Sequence, residues 1–165
     1  YAYTRGAKFG DADPQELWPS GDLPTGQHLE PVALSGNTLF AGAPDANQGR
    51  GVAFAFQRNA GTFGGAPLVL PRTNAERATL TPGSRFGKQV AVHGDLAVVT
   101  TRESENLGAG YVYRRGGGKW AFSRRVSSEL LDGFGCDVKV HGSTVAIGAL
   151  FAEPGVVYVY EFPAQ

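Results

Sequence analysis

The sequence holds a single cysteine and no methionine. Cys136 has no partner with which to form a disulfide inside the chain, so cysteine usage says nothing about the redox compartment. The absence of Met, with Tyr1 at the start, reads as a mature or trimmed product. Charge of one sign is also missing, since 15 basic residues stand against 15 acidic ones. Counterion release at a phosphate backbone needs a basic surface, so nucleic acid is not an expected partner. No apolar run reaches the length of a membrane span and no signal-peptide pattern is present, so no membrane insertion is expected. Sustained apolar spacing at three and four residues, the mark of amphipathic helices, is absent as well. What the chain has in quantity is glycine, 24 of 165 residues, but without the three-residue period of collagen. With 42% apolar residues this length suits one domain with its own core.

Internal repetition organises what remains. Anchored on Gly36, Gly94 and Gly142, three passages read "PVALSGNTLFAGAP", "QVAVHGDLAVVTTR" and "DVKVHGSTVAIGAL", with the anchors 58 and 48 residues apart. Gly-Asn, Gly-Asp and Gly-Ser between alternating apolar runs are signals for tight hairpins, because the first turn position there favours positive φ. A polar loop and a third strand follow each time: "GVAFAFQR", "AGYVYRR" and "GVVYVYEF". Phe54, Tyr111 and Tyr158 are equivalent, as are Phe56, Tyr113 and Tyr160, which puts aromatics on one face of each strand. Phe63 and Trp120 then open a fourth strand.

The unit is therefore four antiparallel strands in about fifty residues, the size of a propeller blade. The spacing predicts strands over 32–35, 38–43, 52–58, 90–93, 96–101, 110–115, 119–126, 138–141, 144–149 and 156–162, with no helix beyond a turn or two. "YAYTRGAKF" matches "YVYRRGGGKW", so the chain enters in mid-unit, and it leaves in mid-unit after "VVYVYEFPAQ". One all-β domain results, divided into a partial blade over 1–28, blades over 29–82 and 83–132, and a partial blade over 133–165. A closed ring needs four to eight blades. Two chains, with the strand near Phe9 to Leu17 of one completing the last blade of the other, would make a six-bladed homodimer. The Tyr1-Ala2-Tyr3 segment is then surplus.

The passages "FGKQVAVHGDLAVV", "FGCDVKVHGSTVAIGA" and "VALSGNTLFAGAPDANQGRGVAFAF" resemble FG-GAP repeats, the blades of the integrin α-subunit propeller and of many bacterial secreted proteins. The Phe-Gly pair stands at Phe86-Gly87 and Phe134-Gly135 and has become Leu29-Glu30 in the first full unit. Gly-Ala-Pro survives only at Gly42-Ala43-Pro44. On this reading Phe-Gly and Gly-Ala-Pro shape a blade and do no chemistry. The family's calcium loop is replaced by tight hairpins too short to wrap an ion. Asp11 and Asp13 alternate without the turning Gly, so no metal and no cofactor is expected.

The resemblance implies that the connections between second and third strands and between units share one face and bind a partner. By position the candidate contacts are Asp45, Asn47, Arg50, Arg102, Glu103, Glu105, Asn106 and Glu153. It also implies an extracellular or cell-surface setting, as in a bacterial secreted protein. A non-enzymatic binding or adhesion module for a protein ligand is the leading reading. A carbohydrate-binding propeller lectin, using Trp18 or Trp120, is the alternative, and a hydrolase or other enzyme the third. No nucleophile-elbow motif is present. His93 and His141 take equivalent positions before the turn glycines, where neighbouring blades are expected to hold them apart on the surface. Cys136 reads as a small hydrophobe. The basic cluster "RRGGGKWAFSRR" reads as a solvated outer edge that discourages strand pairing.

Overall fold

The computed structural model describes residues 17, 28–63, 67–71, 73–102, 107–128 and 130–163. The partial blade expected over 1–28, with Phe9, Asp11, Asp13 and Trp18, lies almost wholly outside the described residues. The described part is all-β, three antiparallel sheets with two helical turns. In the first sheet β1 (Val32–Ser35), β2 (Thr38–Ala43) and β3 (Val52–Asn59) form a meander, with α1 (Ala46–Gly49) between β2 and β3. Two short strands, β4 (Thr62–Phe63) and β5 (Leu68–Leu70), then share the outer edge of β3, and α2 (Asn74–Ala78) follows. The second sheet is β6 (Val90–His93), β7 (Leu96–Arg102), β8 (Gly108–Gly116) and β9 (Lys119–Ser127). The third is β10 (Phe134–His141), β11 (Thr144–Ala149) and β12 (Val156–Glu161).

Register follows from the repeat. Val32, Ala41 and Phe54 form one cross-strand row, and Val90, Val99 and Tyr111, then Val138, Ile147 and Tyr158, form its equivalents. Each first hairpin turns at its glycine, Gly36, Gly94 or Gly142, at φ between +55° and +58°. Where the fourth strand of the first unit is expected to open at Phe63, the two-residue β4 (Thr62–Phe63) pairs only with Arg58 and Asn59, and it is β5 that pairs with Ala53, Phe54 and Ala55 of β3.

Alternation along the second sheet divides its side chains between two neighbours. Val90, Val92, Tyr111 and Tyr113 pack with Phe40, Ala53, Ala55 and Leu70 of the first sheet. Ala91, Leu96, Val98 and Val112 pack with Phe134, Val138, Val145 and Ile147 of the third. The sheets thus stand side by side, β1 and β2 against β6, and β6, β7 and β8 against β10. No closed ring forms among the described residues.

The Phe-Gly pairs sit at the seams. Phe86 meets Tyr111 edge-on at 5.1 Å between ring centres, and Phe134 meets Tyr158 at 5.2 Å. Both phenylalanines are buried, contributing roughly 2–3 kcal/mol each. The backbone after them is bound across the seam: Gly87 donates its N–H to the Thr100 carbonyl at 3.0 Å, and the Gly135 carbonyl accepts from Thr100 Oγ1 at 2.9 Å. Such close approach explains the glycines that open β3 and β8. A Cβ on Gly51 would overlap the Phe86 carbonyl oxygen, and one on Gly108 that of Phe134.

Candidate functional site

The connection from β2 to β3 carries Asp45, Asn47 and Arg50, all exposed. Asn47 and Gln48 both take left-handed backbone, φ +53° and +62°, so α1 is a curl rather than a regular helix. The curl is closed by Gly51 N–H donating to the Ala46 carbonyl at 2.9 Å, while the Ala46 side chain is buried beneath it. From the next connection, Gly83 and Arg85 donate their N–H groups to the Gly49 carbonyl at 3.1 and 2.8 Å, and Phe86 donates to that of Arg50 at 2.9 Å. Arg85 also grips Asp45 Oδ1 through Nη2 at 2.7 Å and Nε at 3.1 Å. Arg102 N–H donates to the Ser84 carbonyl at 3.0 Å, which ties the end of β7 to the same segment.

Arg102 lies with its guanidinium 5.9 Å from the ring centre of Phe151 in the β11–β12 connection. That connection is held by Phe151 N–H donating to the Asp132 carbonyl at 2.7 Å. Asp132 is itself buried, accepting from Phe134 N–H at 3.0 Å and Tyr158 O–H at 2.8 Å. Glu153 is exposed on the same connection. Asp45, Arg50 and Arg102 are therefore bound through one shared segment, and Arg102 reaches the connection bearing Glu153. Glu103, Glu105 and Asn106 lie outside the described residues.

A cleft of about 500 Å³ opens beside this curl. Exposed Asn47, Arg50 and Arg77 line it together with buried Val52, Leu70 and Leu80. Arg77 Nε donates to the Pro71 carbonyl at 3.2 Å, which fixes the base of its guanidinium. Neither Arg50 nor Arg77 forms an ion pair among the described residues. Two unpaired cations beside an apolar floor can bind a carboxylate attached to an apolar group.

Arg77 and Leu80 belong to a segment whose local signal is Thr73-x-x-Glu76. It forms a capping box: Thr73 Oγ1 accepts from Glu76 N–H at 3.1 Å, and Glu76 Oε2 accepts from Thr73 N–H at 2.8 Å. Glu76 is buried and its Oε1 accepts from the Tyr113 hydroxyl at 2.5 Å. Burial, and then this carboxylate, push the Tyr113 hydroxyl far above its ordinary value. Tyr111 and Thr79 share a further hydroxyl contact at 2.6 Å, so α2 is bolted to β8.

Other candidates take different places from those expected. His93 and His141 are not held apart: their ring centres lie 4.9 Å from each other. Sheets that stand side by side bring successive hairpin turns within hydrogen-bond reach, and Gly142 N–H donates to His93 Nδ1 at 3.0 Å. The basic cluster is only partly a solvated edge. Arg115 Nη1 reaches back to Thr38 Oγ1 at 3.3 Å, while Arg114 Nη2 reaches forward to the carbonyls of Phe162 and Pro163. Alternation sends the two side chains to opposite neighbours. Trp120 is buried against Phe40, edge-on at 5.1 Å, and cannot offer a face to a sugar. Among the described residues no three His, Cys, Asp or Glu side chains are grouped to hold a metal, and no helix is long and apolar enough to cross a membrane.

Fold and connections together define an all-β protein of side-by-side antiparallel meanders with a cleft of about 500 Å³ at their linked ends. No family model matches the chain, and no curated protein does. Among solved structures, the crystal structure of the computationally designed Ika4 protein is similar at 16% identity and a TM-score of 0.41, over 92% of this chain and 100% of that one. A likeness that loose bears on neither fold family nor function.

Proposed function

We propose that the chain is a non-enzymatic binding module, built of FG-GAP-type propeller blades, that presents its linked connections to a protein partner outside the cell or at its surface. The observation that carries this reading is the cleft beside the β2–β3 curl. Arg50 and Arg77 stand there without an ion pair among the described residues, above Val52, Leu70 and Leu80, the Arg50 backbone held by the Phe86 segment and Arg77 by α2. Rigid scaffolds tend to place recognition on such connections. The ligand class that fits is a peptide segment with a carboxylate, from Asp, Glu or a chain terminus, next to an aliphatic or aromatic side chain. Trp120, one of the two tryptophans that the lectin alternative would use, is buried in the core.

A displayed random-peptide library panned on the protein tests the reading. Enriched peptides should pair an acidic group with an apolar residue, and Arg50→Glu or Arg77→Glu should weaken their binding about tenfold or more, the measured scale for breaking close charge pairs. Enrichment without acidic residues, or binding indifferent to both substitutions, would refute it. Selective retention on a glycan array in place of peptides would favour the lectin alternative.

A further inference from the structure

Three contacts recur at equivalent positions where one sheet meets the next. The first is face to face. Val90 and Val92 close on the first sheet, and Val138 and Val140 on the second. On the receiving side stand Ala53 and Ala55, then Gly110 and Val112, all buried. The second is a ladder of hairpin turns, in which Ser35 Oγ accepts from Gly94 N–H at 3.0 Å and His93 Nδ1 accepts from Gly142 N–H at 3.0 Å. The third joins the outer strands: Arg115 of the second sheet reaches Thr38 of the first, where Thr38 already bonds Gln57.

Each series stops with one half open at either end of the stack. On the third sheet Val157 and Val159 occupy the receiving positions, 65% and 63% exposed. His141 is the next acceptor in the ladder. Thr144 and Glu161 stand where Thr38 and Gln57 stand in the first sheet, bonded to each other at 2.6 Å. On the first sheet the matching halves are also open. Val32 and Leu34, equivalent to Val90 and Val92, are 66% and 59% exposed. Gly36 is exposed, and Arg58, the counterpart of Arg115, rests on its own hairpin, Nε donating to Asn37 Oδ1 at 3.2 Å and Nη2 to the Gly36 carbonyl at 3.1 Å, over the Phe63 ring. Glu161 has no cation, and Arg58 no carboxylate, among the described residues. On the same face Ala41, Phe54 and Phe56 are already buried, with Leu17, Leu29 and Leu39 packed against them, so the exposed part is the β1 margin carrying Val32 and Leu34. Lys139, where the second sheet has Ala91, is a charged side chain at the inner strand of the open face, and Asp137 neutralises it at 2.9 Å.

We propose that the open face of the third sheet is a docking surface for the first sheet of a second copy of this chain. Val157 and Val159 meet that copy's Val32 and Leu34 face, His141 accepts from its Gly36 N–H, and Glu161 pairs with its Arg58. One surface presenting one half and another presenting its complement is a heterologous pair, and two copies related by a two-fold axis satisfy both junctions at once. Six sheets then stand in one ring. This goes beyond the peptide-cleft reading: Arg50→Glu tests that cleft and leaves both docking faces intact.

Sedimentation velocity of the full chain at micromolar concentration should give about 35 kDa, twice the chain mass of 17.4 kDa. Val159→Lys, at a position exposed in the single chain, should shift the mass to 17.4 kDa while the far-ultraviolet spectrum stays that of a β protein. Arg58→Glu and Glu161→Arg should each weaken association about tenfold, and the two together should restore it. A monodisperse 17.4 kDa species would overturn the proposal. So would a dimer unaffected by Val159→Lys or Arg58→Glu, a double swap that fails to recover, or growth into larger species.

Discussion

Replacing Tyr113 with Phe removes one hydroxyl and leaves the ring in place, which isolates the contact that bolts α2 to β8. The hydroxyl donates to Glu76 Oε1 at 2.5 Å, and both residues are buried. Without it that oxygen loses its donor, while the other keeps only the Thr73 N–H. A hydrogen bond to a charged group contributes about 1.5–3 kcal/mol net, and an unsatisfied buried acceptor costs at the upper end of that range. We expect a loss of about 2–3 kcal/mol, which for a chain of this size lowers Tm by about 5–10 °C. Tyr111→Phe is the internal comparison, because it removes a hydroxyl contact to Thr79 that involves no carboxylate and should cost about 1 kcal/mol. Urea titration followed by the fluorescence of buried Trp120 reads both. A Tyr113→Phe cost below about 0.5 kcal/mol, or one no larger than that of Tyr111→Phe, would refute the role given to the carboxylate. In a Glu76→Gln background the Tyr113→Phe cost should shrink by about 1 kcal/mol or more, the mark of direct coupling.

The same tyrosine governs alkaline stability. Its native pKa is raised by burial and then by Glu76, and that of Tyr160 by burial and then by Tyr158 and Asp132. A raised native pKa contributes stability that is complete below the unfolded value near 10 and is lost above it, so the urea midpoint should fall once pH passes about 10, less steeply in Tyr113→Phe. A midpoint that is flat to pH 11 or so would contradict this. Gly108→Ala should cost about 3 kcal/mol through overlap with the Phe134 carbonyl, whereas Gly116→Ala, with open space around it, should be close to neutral; equal effects in the two melts would refute the close approach. Asp45→Lys breaks an ion pair whose side chains are about half exposed, so its cost should stay under about 1 kcal/mol, and a larger loss in thermal melts would mean that the curl is held by that pair rather than by its backbone bonds.

Much of the architecture was legible because period-two alternation and the turn glycines act locally. The three strand–turn–strand passages set β1–β2, β6–β7 and β10–β11, and the aromatic pairs identified β3, β8 and β12. Long-range consequences were less legible. That Arg114 and Arg115 would leave for opposite sides follows from the pleat, but that both sides hold protein does not. The nearness of His93 and His141 depends on the spacing between sheets, which no single strand encodes. Of the candidate site, Asp45, Asn47 and Arg50 are singled out by their place in the repeat. Arg77 and Leu80 were not, although Thr73-x-x-Glu76 marks a helix start; one helical turn is too short to show an apolar period, and the capping signal went unread. Arg85, which bonds the curl from a left-handed backbone at φ +52°, carries no sequence signal of that conformation.

The site and the core are not independent layers in this chain. Residues 83–86 pass from the exposed connection to the buried seam within four positions. Gly83 and Arg85 hold the Gly49 carbonyl, Phe86 holds that of Arg50, and the Phe86 ring is sealed against Tyr111. Any shift of the Arg50 backbone must therefore either break the Phe86 N–H bond or draw a fully buried ring from its contact. Small displacements at a close-packed seam are costly. The rim of the cleft near Arg50 is thus fixed by the same Phe-Gly step that joins one sheet to the next. Arg77, on the other rim, is fixed separately through α2 and the Tyr113–Glu76 contact. Loosening α2 with Tyr113→Phe should consequently widen the cleft from the Arg77 side alone, and weaken peptide binding through Arg77 while the Arg50 contribution persists. Loss of both contributions together would mean that the two rims move as one body.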